Sequence, residues 1–471
     1  MEVLRIFRHY AEDSARGDRV FIMSPRGDPF TVVYINNTHL ERSSKMPKIA
    51  VHTLGCKVNQ YDTEAMLESF ERAGYESAQN GEAADVYLVN TCTVTGTGDQ
   101  KSMKLIRRLH REHPDAAIIA AGCLTQRDAA KVMLPGVMLA IGVQRRAEVV
   151  TLLERAVESG TPIDATAPLK GASFESLFVS RHEGKTRATM KIQEGCDRFC
   201  AYCVIPYVRG PVRSMELTMV RAEAERLAQA GYLEIVLTGI HLASYGRGTG
   251  HTLLDAVREV QSVPGVRRIR LGSLEPRVVT EEFALALSQM DKVCPQFHLS
   301  LQSGSETVLA RMRRAYTPDE YMRAANTLRR FFPGCALTTD VIAGFPGETD
   351  REHAETEAFV RAVRFARLHV FPYSRRSGTV ADRLPGQVPE EIKKKRANEL
   401  IRIGNQMELD YVQALKGTTQ TVLFETALAD GFAEGYTAGY VRVRARAIPG
   451  EMRSVPITDT QGTLAIGGAP D

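Results

Sequence analysis

The sequence predicts an α/β protein built from two successive strand–helix arrays and closed by a small all-β module, and three observations carry that prediction. Three cysteines, Cys56, Cys92 and Cys123, recur just past the carboxyl ends of three successive buried-type strands. A second run of six candidate strands, separated by helical segments, fills residues 187 to 374. Beyond Gly417 the pattern changes to alternating polar and apolar residues with Gly-rich turns, as a small β-barrel requires.

The bulk numbers set the frame. A chain of 471 residues with 44% hydrophobic content can bury several cores, so roughly two to four domains are expected. A net charge of +4 neither demands nor excludes nucleic acid; what matters is where Arg and Lys sit. No run of about 18 apolar residues occurs and the start lacks the apolar core of a signal peptide. A cytoplasmic protein is therefore expected, with no membrane contact. In a reducing compartment, eight Cys argue for metal or catalysis over disulfides. Cys294 and Cys335 are expected to be ordinary buried thiols.

Residues 1–45 carry scattered Arg and Asp with one β-prone run at Thr31 to Ile35. They are expected to be a poorly ordered extension or a misassigned start, with translation beginning at Met46. A targeting or partner arm is the alternative, against which stands the lack of a Ser-rich, acid-poor composition. From 46 to 152 a simple unit repeats. Lys48 to Leu54 is a strand leading to Cys56, Asp62 to Ala73 a helix with apolar Ala65, Met66, Leu67 and Phe70, and Asp85 to Val89 a strand leading to Cys92. Lys101 to His113 is a basic helix, and Ala116 to Ala121 a strand followed by Cys123. The Cys intervals of 36 and 31 residues are about one strand–helix unit each. In a right-handed parallel sheet such strand ends share one edge, where ligands bind, so the three thiols converge. One Cys alone would read as a small core hydrophobe; three at equivalent positions read as ligands of a metal cluster. Gly55, Gly96, Gly98 and Gly122 give the backbone room for an inorganic core. Residues 153–186 hold a helix tail and then TPIDATAPLKGASFES, a linker with a short strand or two.

Residues 187–416 supply candidate strands at Ala188 to Gln193, Glu234 to Gly239, Arg268 to Leu274, Phe297 to Gln302, Leu337 to Ala343 and Leu368 to Phe371. Helices lie between them, for example Thr218 to Ala230 and Thr317 to Phe331, the latter opened by Thr317-Pro318-Asp319-Glu320 as a cap. Six units, not eight, predict a partial barrel open on one side, with its site at the carboxyl ends of the strands. Cys196, Cys200 and Cys203 follow the first strand at C-x-x-x-C-x-x-C spacing. A structural zinc site normally wants four closed ligands, so three thiols in eight residues fit better an iron–sulfur cluster with one open iron. Polar residues end nearly every other strand: Thr238 and Gly239, Ser273 and Glu275, Ser300 and Gln302, Asp340, and the turn Gly344-Phe345-Pro346-Gly347-Glu348. They line a ligand mouth, or cap the helices that follow.

The exit segment carries Arg375, Arg376 and Arg383 in a loop and then a long helix bearing Lys393, Lys394, Lys395 and Arg396, which reads either as a solvated face or as a phosphate-contacting stripe. Residues 417–471 read as about five short strands. Tyr436, Tyr440, Arg442 and Arg444 there either grip a single-stranded loop or are half-buried strand residues. Four Arg against six Asp or Glu is not the basic face of an RNA binder.

The Cys196–Cys200–Cys203 spacing with Tyr202 before the last Cys resembles the signature of radical S-adenosylmethionine (SAM) enzymes. From Lys48 onward the chain resembles a radical SAM methylthiotransferase. GCKVNQ, NTC and GC are similar to the auxiliary-cluster domain of that family, EGCDRFCAYCVIPYVRG to its SAM-cluster segment, and LTGIHLASYG, LGSLEP, HLSLQSGS, RRAYTPDEY and DVIAGFPGETD to its barrel motifs. The resemblance implies two [4Fe-4S] clusters, one on Cys196, Cys200 and Cys203 that binds and cleaves SAM, the other on Cys56, Cys92 and Cys123 that presents the sulfur. It implies SAM contacts at Tyr202, Thr238, Gly239, Gly344 and Gly347, within a mouth that Glu275, Ser300, Gln302 and Asp340 help to line. It further implies a tRNA anticodon stem-loop as partner, held in part by Arg375, Arg376, Lys393, Lys394, Tyr436, Tyr440, Arg442 and Arg444. An electron donor such as flavodoxin or ferredoxin, a monomeric state and an OB-like TRAM domain at residues 417–471 complete the expectation. Gly55 to Gln60 and Asn90 to Thr95 resemble the branch acting on N6-threonylcarbamoyladenosine beside the anticodon. The alternatives are isopentenyl-adenosine tRNA, an aspartate of a ribosomal protein, or an RNA-binding iron–sulfur sensor that is no enzyme. Carbon 2 of adenine carries an unactivated C–H bond that no base in water deprotonates, so radical chemistry is what such a substitution needs.

Overall fold

The computed structural model describes residues 46–79, 81–180 and 186–468; the expectations for residues 1–45 lie outside them. The first array runs β1 (Lys48–Thr53), α1 (Lys57–Arg72), β2 (Glu76–Ser77), β3 (Val86–Thr91), α2 (Gly96–Glu112), β4 (Ala117–Gly122), α3 (Cys123–Arg127), α4 (Ala129–Val132), β5 (Val137–Ile141), α5 (Val149–Ser159) and β6 (Ile163–Asp164). Its strands form one parallel sheet in the order β2-β1-β3-β4-β5-β6. Every residue of β3 is buried, the signature of a parallel strand covered on both faces. Ile49, Phe70, Leu88, Ile119 and Leu139 fill one face, and Tyr87, Ile106, Ile118 and Val132 the other. Pairing of Thr53 with Asn90 and of Thr91 with Gly122 brings the carboxyl ends of β1, β3 and β4 level. The helix tail expected after residue 152 is the end of α5, and the expected short strand is β6, which extends this sheet.

The second array runs β7 (Arg187–Glu194), α6 (Ile205–Arg209), β8 (Arg213–Ser214), α7 (Leu217–Gln229), β9 (Glu234–Gly239), α8 (Leu253–Ser262), β10 (Arg268–Leu271), α9 (Glu281–Ser288), β11 (Gln296–His298), α10 (Glu306–Arg311), α11 (Pro318–Phe331), β12 (Ala336–Ala343), α12 (Asp350–Val363), β13 (Arg367–Pro372) and α13 (Glu390–Gln413). All six candidate strands are present. β7, β9 and β10 pair in parallel, as do β11, β12 and β13. The two groups join where Leu274 N–H donates to His298 O and Ser300 N–H to Leu274 O. The six therefore form an arc in chain order, and among the described residues no pairing closes β13 onto β7. Alternation gives the arc two faces. Met190, Ile192, Leu237, Ile269, Phe297, Leu299 and Val341 face the helices and build the largest core, while Lys191, Gln193, Thr238, Arg270, His298 and Asp340 occupy the alternate positions. Capping boxes at Thr252, Thr317 and Thr349 start α8, α11 and α12.

The last five strands, β14 (Thr419–Ala427), β15 (Phe432–Thr437), β16 (Arg442–Arg446), β17 (Met452–Gln461) and β18 (Leu464–Gly467), close into a barrel around Val422, Phe424, Val443, Val455 and Ile457. It sits against the amino ends of the central strands: Arg187 pairs with Glu425, and Arg270 Nη1 donates to Ala438 O at 2.9 Å. Among the described residues no helix is long and apolar enough to cross a membrane.

Candidate active site

The first Cys triplet is built by strand ends. Cys56 is the extended N-cap residue of α1, Cys92 directly follows β3, and Cys123 is the first residue of α3, directly after β4. Two glycines make this packing feasible. Gly55 has φ 106°, and a Cβ on it would lie 2.9 Å from Cys92 Sγ; Gly122 has φ 92°, and its Cβ would lie 2.2 Å from Asn90 Oδ1. Asn59 braces the site: its amide donates to Leu54 O (2.7 Å) and Thr91 O (3.0 Å), and its Oδ1 faces Cys123 Sγ at 3.8 Å. Cys56 is exposed, whereas Cys92 and Cys123 are buried. Burial pushes the Cys123 thiol up to about 11, with the nearby thiols adding to the shift and Arg209 opposing it. Burial likewise raises Cys92, so a metal that binds Cys92 and Cys123 must displace their protons.

The second triplet hangs on the carboxyl end of β7. Gly195 is forced to be glycine: at φ 76° its Cβ would fall 1.9 Å from Pro211 O. The loop is stapled by Cys196 N–H to Gly210 O (3.0 Å), Ala201 N–H to Met312 O (2.9 Å) and Ala381 N–H to Ala201 O (2.8 Å). Burial pushes the Cys203 thiol up to about 12, and the neighbouring Cys200 and Cys196 add to it. Arg314 donates to Cys200 Sγ at 3.3 Å and to the Tyr316 hydroxyl at 3.0 Å, and Tyr316 in turn donates to the carbonyls of Ser300 and Leu301. Among the described residues, the only three-ligand group whose donor atoms all lie within 4.8 Å is His353, Glu357 and Glu399. The thiols of each Cys triplet lie close enough to feel one another's charge. Three thiols with no fourth protein ligand assigned form a donor set that fits iron–sulfur.

The remaining mouth residues fall as follows. Tyr202 packs beside Phe345, Met312 and Tyr373, so the CxxC loop and the Gly344–Gly347 turn share one apolar cluster. Thr238 is buried, and Gly239 lets Gln193 cross it, since a Cβ there would lie 2.8 Å from Gln193 Oε1. Glu275 is buried and accepts from His241 Nε2 (2.9 Å) and Arg198 Nη2 (2.7 Å); despite burial, these partners hold its carboxyl below the ordinary range. Ser300 offers its backbone. Gln302 adopts φ 71° and bridges Asp340 O and Ile342 N, a strained conformation at the mouth. Asp340 faces His298 Nε2 at 3.3 Å. Gly344 lies under the Lys393 side chain, and Gly347 N–H donates to Gly386 O at 2.8 Å.

Several expected RNA contacts require correction. Arg376 is buried and spends its guanidinium on Thr93 (2.6 Å) and Asp99 (3.0 Å), tying the exit loop to the first array. Lys393 is buried against Gly344, over the Tyr373 ring, with its ammonium 2.7 Å from Glu390. Tyr436 and Tyr440 stack on each other at 5.0 Å, and Arg187 lies over both while Arg270 lies over Tyr440. Their ring faces are occupied at the amino ends of the strands, away from the Cys triplets. Arg444 is half-buried on Glu434 (2.8 Å). Arg375, Lys394 and Arg442 remain exposed, paired with Asp382, Glu391 and Glu434.

Between the triplets lies a buried ionic network that sequence reasoning missed. Arg146, Lys191 and Arg209 face Asp62, Glu175 and Glu194, with Lys191 to Glu194 at 3.1 Å and Arg209 to Asp62 at 3.0 Å. A fourth buried cation, Arg213, also acts on Glu194, so the three carboxylates are ringed by positive charge, which offsets the cost of burying them. Burial works against ionisation of Glu194, but Arg209, Lys191 and Arg146 hold its carboxyl well below the usual range.

A cysteine triplet on a loop at the carboxyl end of an open six-stranded arc, with a second triplet on an adjoining parallel sheet, defines a radical SAM protein with an additional cluster module. Residues 190–360 match the radical SAM superfamily model, and residues 48–141 match a family described as Uncharacterized protein family UPF0004. The chain belongs to the radical SAM methylthiotransferase family of tRNA-modifying enzymes, which use SAM and [4Fe-4S] clusters. It is 42% identical over 406 residues to the threonylcarbamoyladenosine tRNA methylthiotransferase MtaB of Bacillus subtilis, covering 84% of this chain and 90% of that protein. The MtaB protein of Thermotoga maritima is 35% identical over 84% of this chain and 91% of its own. The tRNA-2-methylthio-N(6)-dimethylallyladenosine synthase of Pelotomaculum thermopropionicum is 34% identical over 89% and 96%. Among solved structures, the radical SAM methyltransferase TsrM of Kitasatospora setae shares the fold, with TM-score 0.52 and 15% identity over 83% of this chain and 77% of that one.

Proposed function

We propose that this enzyme inserts a methylthio group at carbon 2 of N6-threonylcarbamoyladenosine beside the anticodon of tRNA, with one [4Fe-4S] cluster on Cys196, Cys200 and Cys203 and another on Cys56, Cys92 and Cys123. The observation that carries the reading is the pair of Cys triplets, each braced by an arginine, at the carboxyl ends of two adjoining parallel arrays. When bound, the clusters and SAM supply the radical chemistry that an unactivated aromatic C–H requires, together with the sulfur. The chain's own residues position these groups. Arg314 and Arg209 each donate to one thiol, which favours its thiolate. Glu275, fixed by His241 and Arg198, offers a buried carboxylate for the SAM amine. Tyr202 and Phe345 give an apolar wall for the adenine. Thr238, Gln302, Asp340, Gly344 and Gly347 complete the mouth. Exposed Arg375, Lys394 and Arg442 are the expected stem-loop cations that stay free of the core. A low-potential donor such as flavodoxin or ferredoxin, a monomeric state, a cytoplasmic location and a TRAM role for the C-terminal barrel belong to the same reading.

Mass spectrometry of digested tRNA from a strain lacking the gene, beside its parent, tests the substrate. The methylthio derivative of threonylcarbamoyladenosine should vanish and its precursor accumulate; loss of the methylthio derivative of isopentenyl-adenosine instead would reassign the substrate. The division of labour is checked with purified protein. Cys200→Ala should abolish formation of 5'-deoxyadenosine from SAM, whereas Cys92→Ala should retain it and lose sulfur insertion. Equal loss of cleavage in both would refute separate roles.

A further inference from the structure

We infer that Arg209 sets the reduction potential of the auxiliary centre at Cys56, Cys92 and Cys123 and locks that centre in register with the SAM centre. The inference rests on the cluster assignment proposed above.

Arg209 is the last residue of α6, fully buried, and donates in three directions. Nε meets Cys123 Sγ at 3.1 Å, Nη2 meets Asn59 Oδ1, and Nη1 meets both Asp62 Oδ2 (3.0 Å) and Glu194 Oε1 (2.8 Å). The next residue completes the link: Gly210 O accepts the N–H of Cys196 at 3.0 Å. Two consecutive residues thus hold one cysteine of each triplet. The acceptors come from β7, from α1 and from the first turn of α3, so the turn cannot shift without breaking contacts on both sides.

A charge-assisted hydrogen bond to a ligating sulfur withdraws electron density from the iron and stabilises the extra electron of the reduced cluster, which raises the potential. Arg146, Lys191 and Arg213 supply positive charge to the same network, so the directed Nε–H on Cys123, more than net charge, distinguishes this guanidinium. Arg209→Lys separates the two effects. An ammonium keeps the charge, is drawn to Asp62 and Glu194, and loses the fork that reaches Cys123 at the same time.

The test uses the full-length chain with Cys196, Cys200 and Cys203 all changed to Ala, so that the auxiliary centre is the one observed. Iron content is measured anaerobically, then the cluster is titrated with dithionite under electron paramagnetic resonance. Arg209→Lys should keep its iron and become harder to reduce by at least tenfold, a shift of ~59 mV for one electron. Arg209→Met with Asp62→Asn, which removes one cation and one carboxylate and so leaves the net charge unchanged, should shift at least as far. An unchanged potential in both variants at full iron content overturns the inference. A parent protein with no iron on the remaining triplet strikes the cluster assignment instead, which separates the two failures. Should both variants fold, by circular dichroism, yet lose iron, or fail to fold, the potential is read from Arg209→Gln with Glu194→Gln, which puts a shorter neutral amide in place of the guanidinium and leaves the net charge unchanged. That variant should be harder to reduce, and an unmoved potential there overturns the inference as well.

Discussion

Tyr61 has one proton to give and two acceptors within reach, the Leu177 carbonyl and Glu223 Oε1 at 2.8 Å. Burial pushes the Glu223 carboxyl up to about 8, against the opposing effects of Tyr61 and Arg226. The two facts agree if protonated Glu223 donates to Tyr61 while Tyr61 donates to Leu177. The folded pKa lies above the unfolded value of about 4.3, so this group destabilises the fold progressively as pH rises from about 4.3 toward about 8. At roughly 1.4 kcal/mol per unit the loss is of the order of a few kcal/mol. Glu223→Gln, neutral at every pH, should flatten that part of the stability profile: apparent Tm at pH 8.5 should rise by several degrees relative to the parent, with little change at pH 5. Parallel profiles would show that Glu223 is ionised in the fold. Glu223 was not legible in the sequence, because a carboxylate on a helix is ordinarily solvated. Asp62, Arg209 and Lys191 were missed because charged side chains are ordinarily exposed, and Lys191 meets Asp62 from 129 positions away. The six cysteines stood out, three because thiols recur at successive strand ends and three because they crowd into eight residues after one strand.

At the scale of elements, hydrophobic runs located β1, β3 and β4 and all six strands of the central arc, but not β5, whose five apolar residues lead to no cysteine, nor the two-residue strands β2 and β8, too short to carry a period. Helix starts were the weaker feature. α1 begins at Lys57, ahead of the expected Asp62, because Val58, Asn59 and Tyr61 already turn inward; α2 begins at Gly96, whose glycines disguise a helix capped by Thr95. The cationic run on α13 was legible as charge but not as burial: Lys393 and Arg396 turn inward, and Arg396 binds Glu348 and Asp350. Strand-end glycines lead to a sharper expectation. A methyl group on Gly122 would meet Asn90 Oδ1 at 2.2 Å and Thr91 O at 2.7 Å, at a φ that alanine tolerates poorly. The strain, of order 1–3 kcal/mol, is relieved by moving the start of α3, and Cys123 is its first residue. Gly122→Ala should therefore lose iron from the auxiliary triplet alone, halving iron per chain while 5'-deoxyadenosine formation from SAM persists. Full iron content would mean that the strand end absorbs the methyl group elsewhere.

The whole molecule uses the two ends of the central arc differently. Both Cys triplets gather at the carboxyl ends, while the amino ends present Arg187, Glu234, Arg268 and Arg270, on which the C-terminal barrel rests. Arg270 is the centre of that seam. It donates to Glu234 at 2.7 Å, Gln296 at 3.0 Å and Ala438 O at 2.9 Å, and stacks on Tyr440. Burial opposes the charge on Glu234, but Arg270, Arg187 and Arg268 hold its carboxyl below the ordinary range. A depressed carboxylate contributes stability above its unfolded pKa and loses it as pH falls through the folded value, so the seam should loosen only in acid. Arg270→Met would leave Glu234 buried without its nearest cation, at a cost of roughly 3–5 kcal/mol. Stability is local, and this cost falls on contacts remote from either triplet. Limited proteolysis near Gly417 should accelerate at neutral pH in Arg270→Met, while iron content and SAM cleavage stay at the parental level. If iron is lost in step with proteolysis, the barrel seam and the cluster site unfold as one cooperative unit, and the C-terminal barrel then supports the chemistry through the length of the arc.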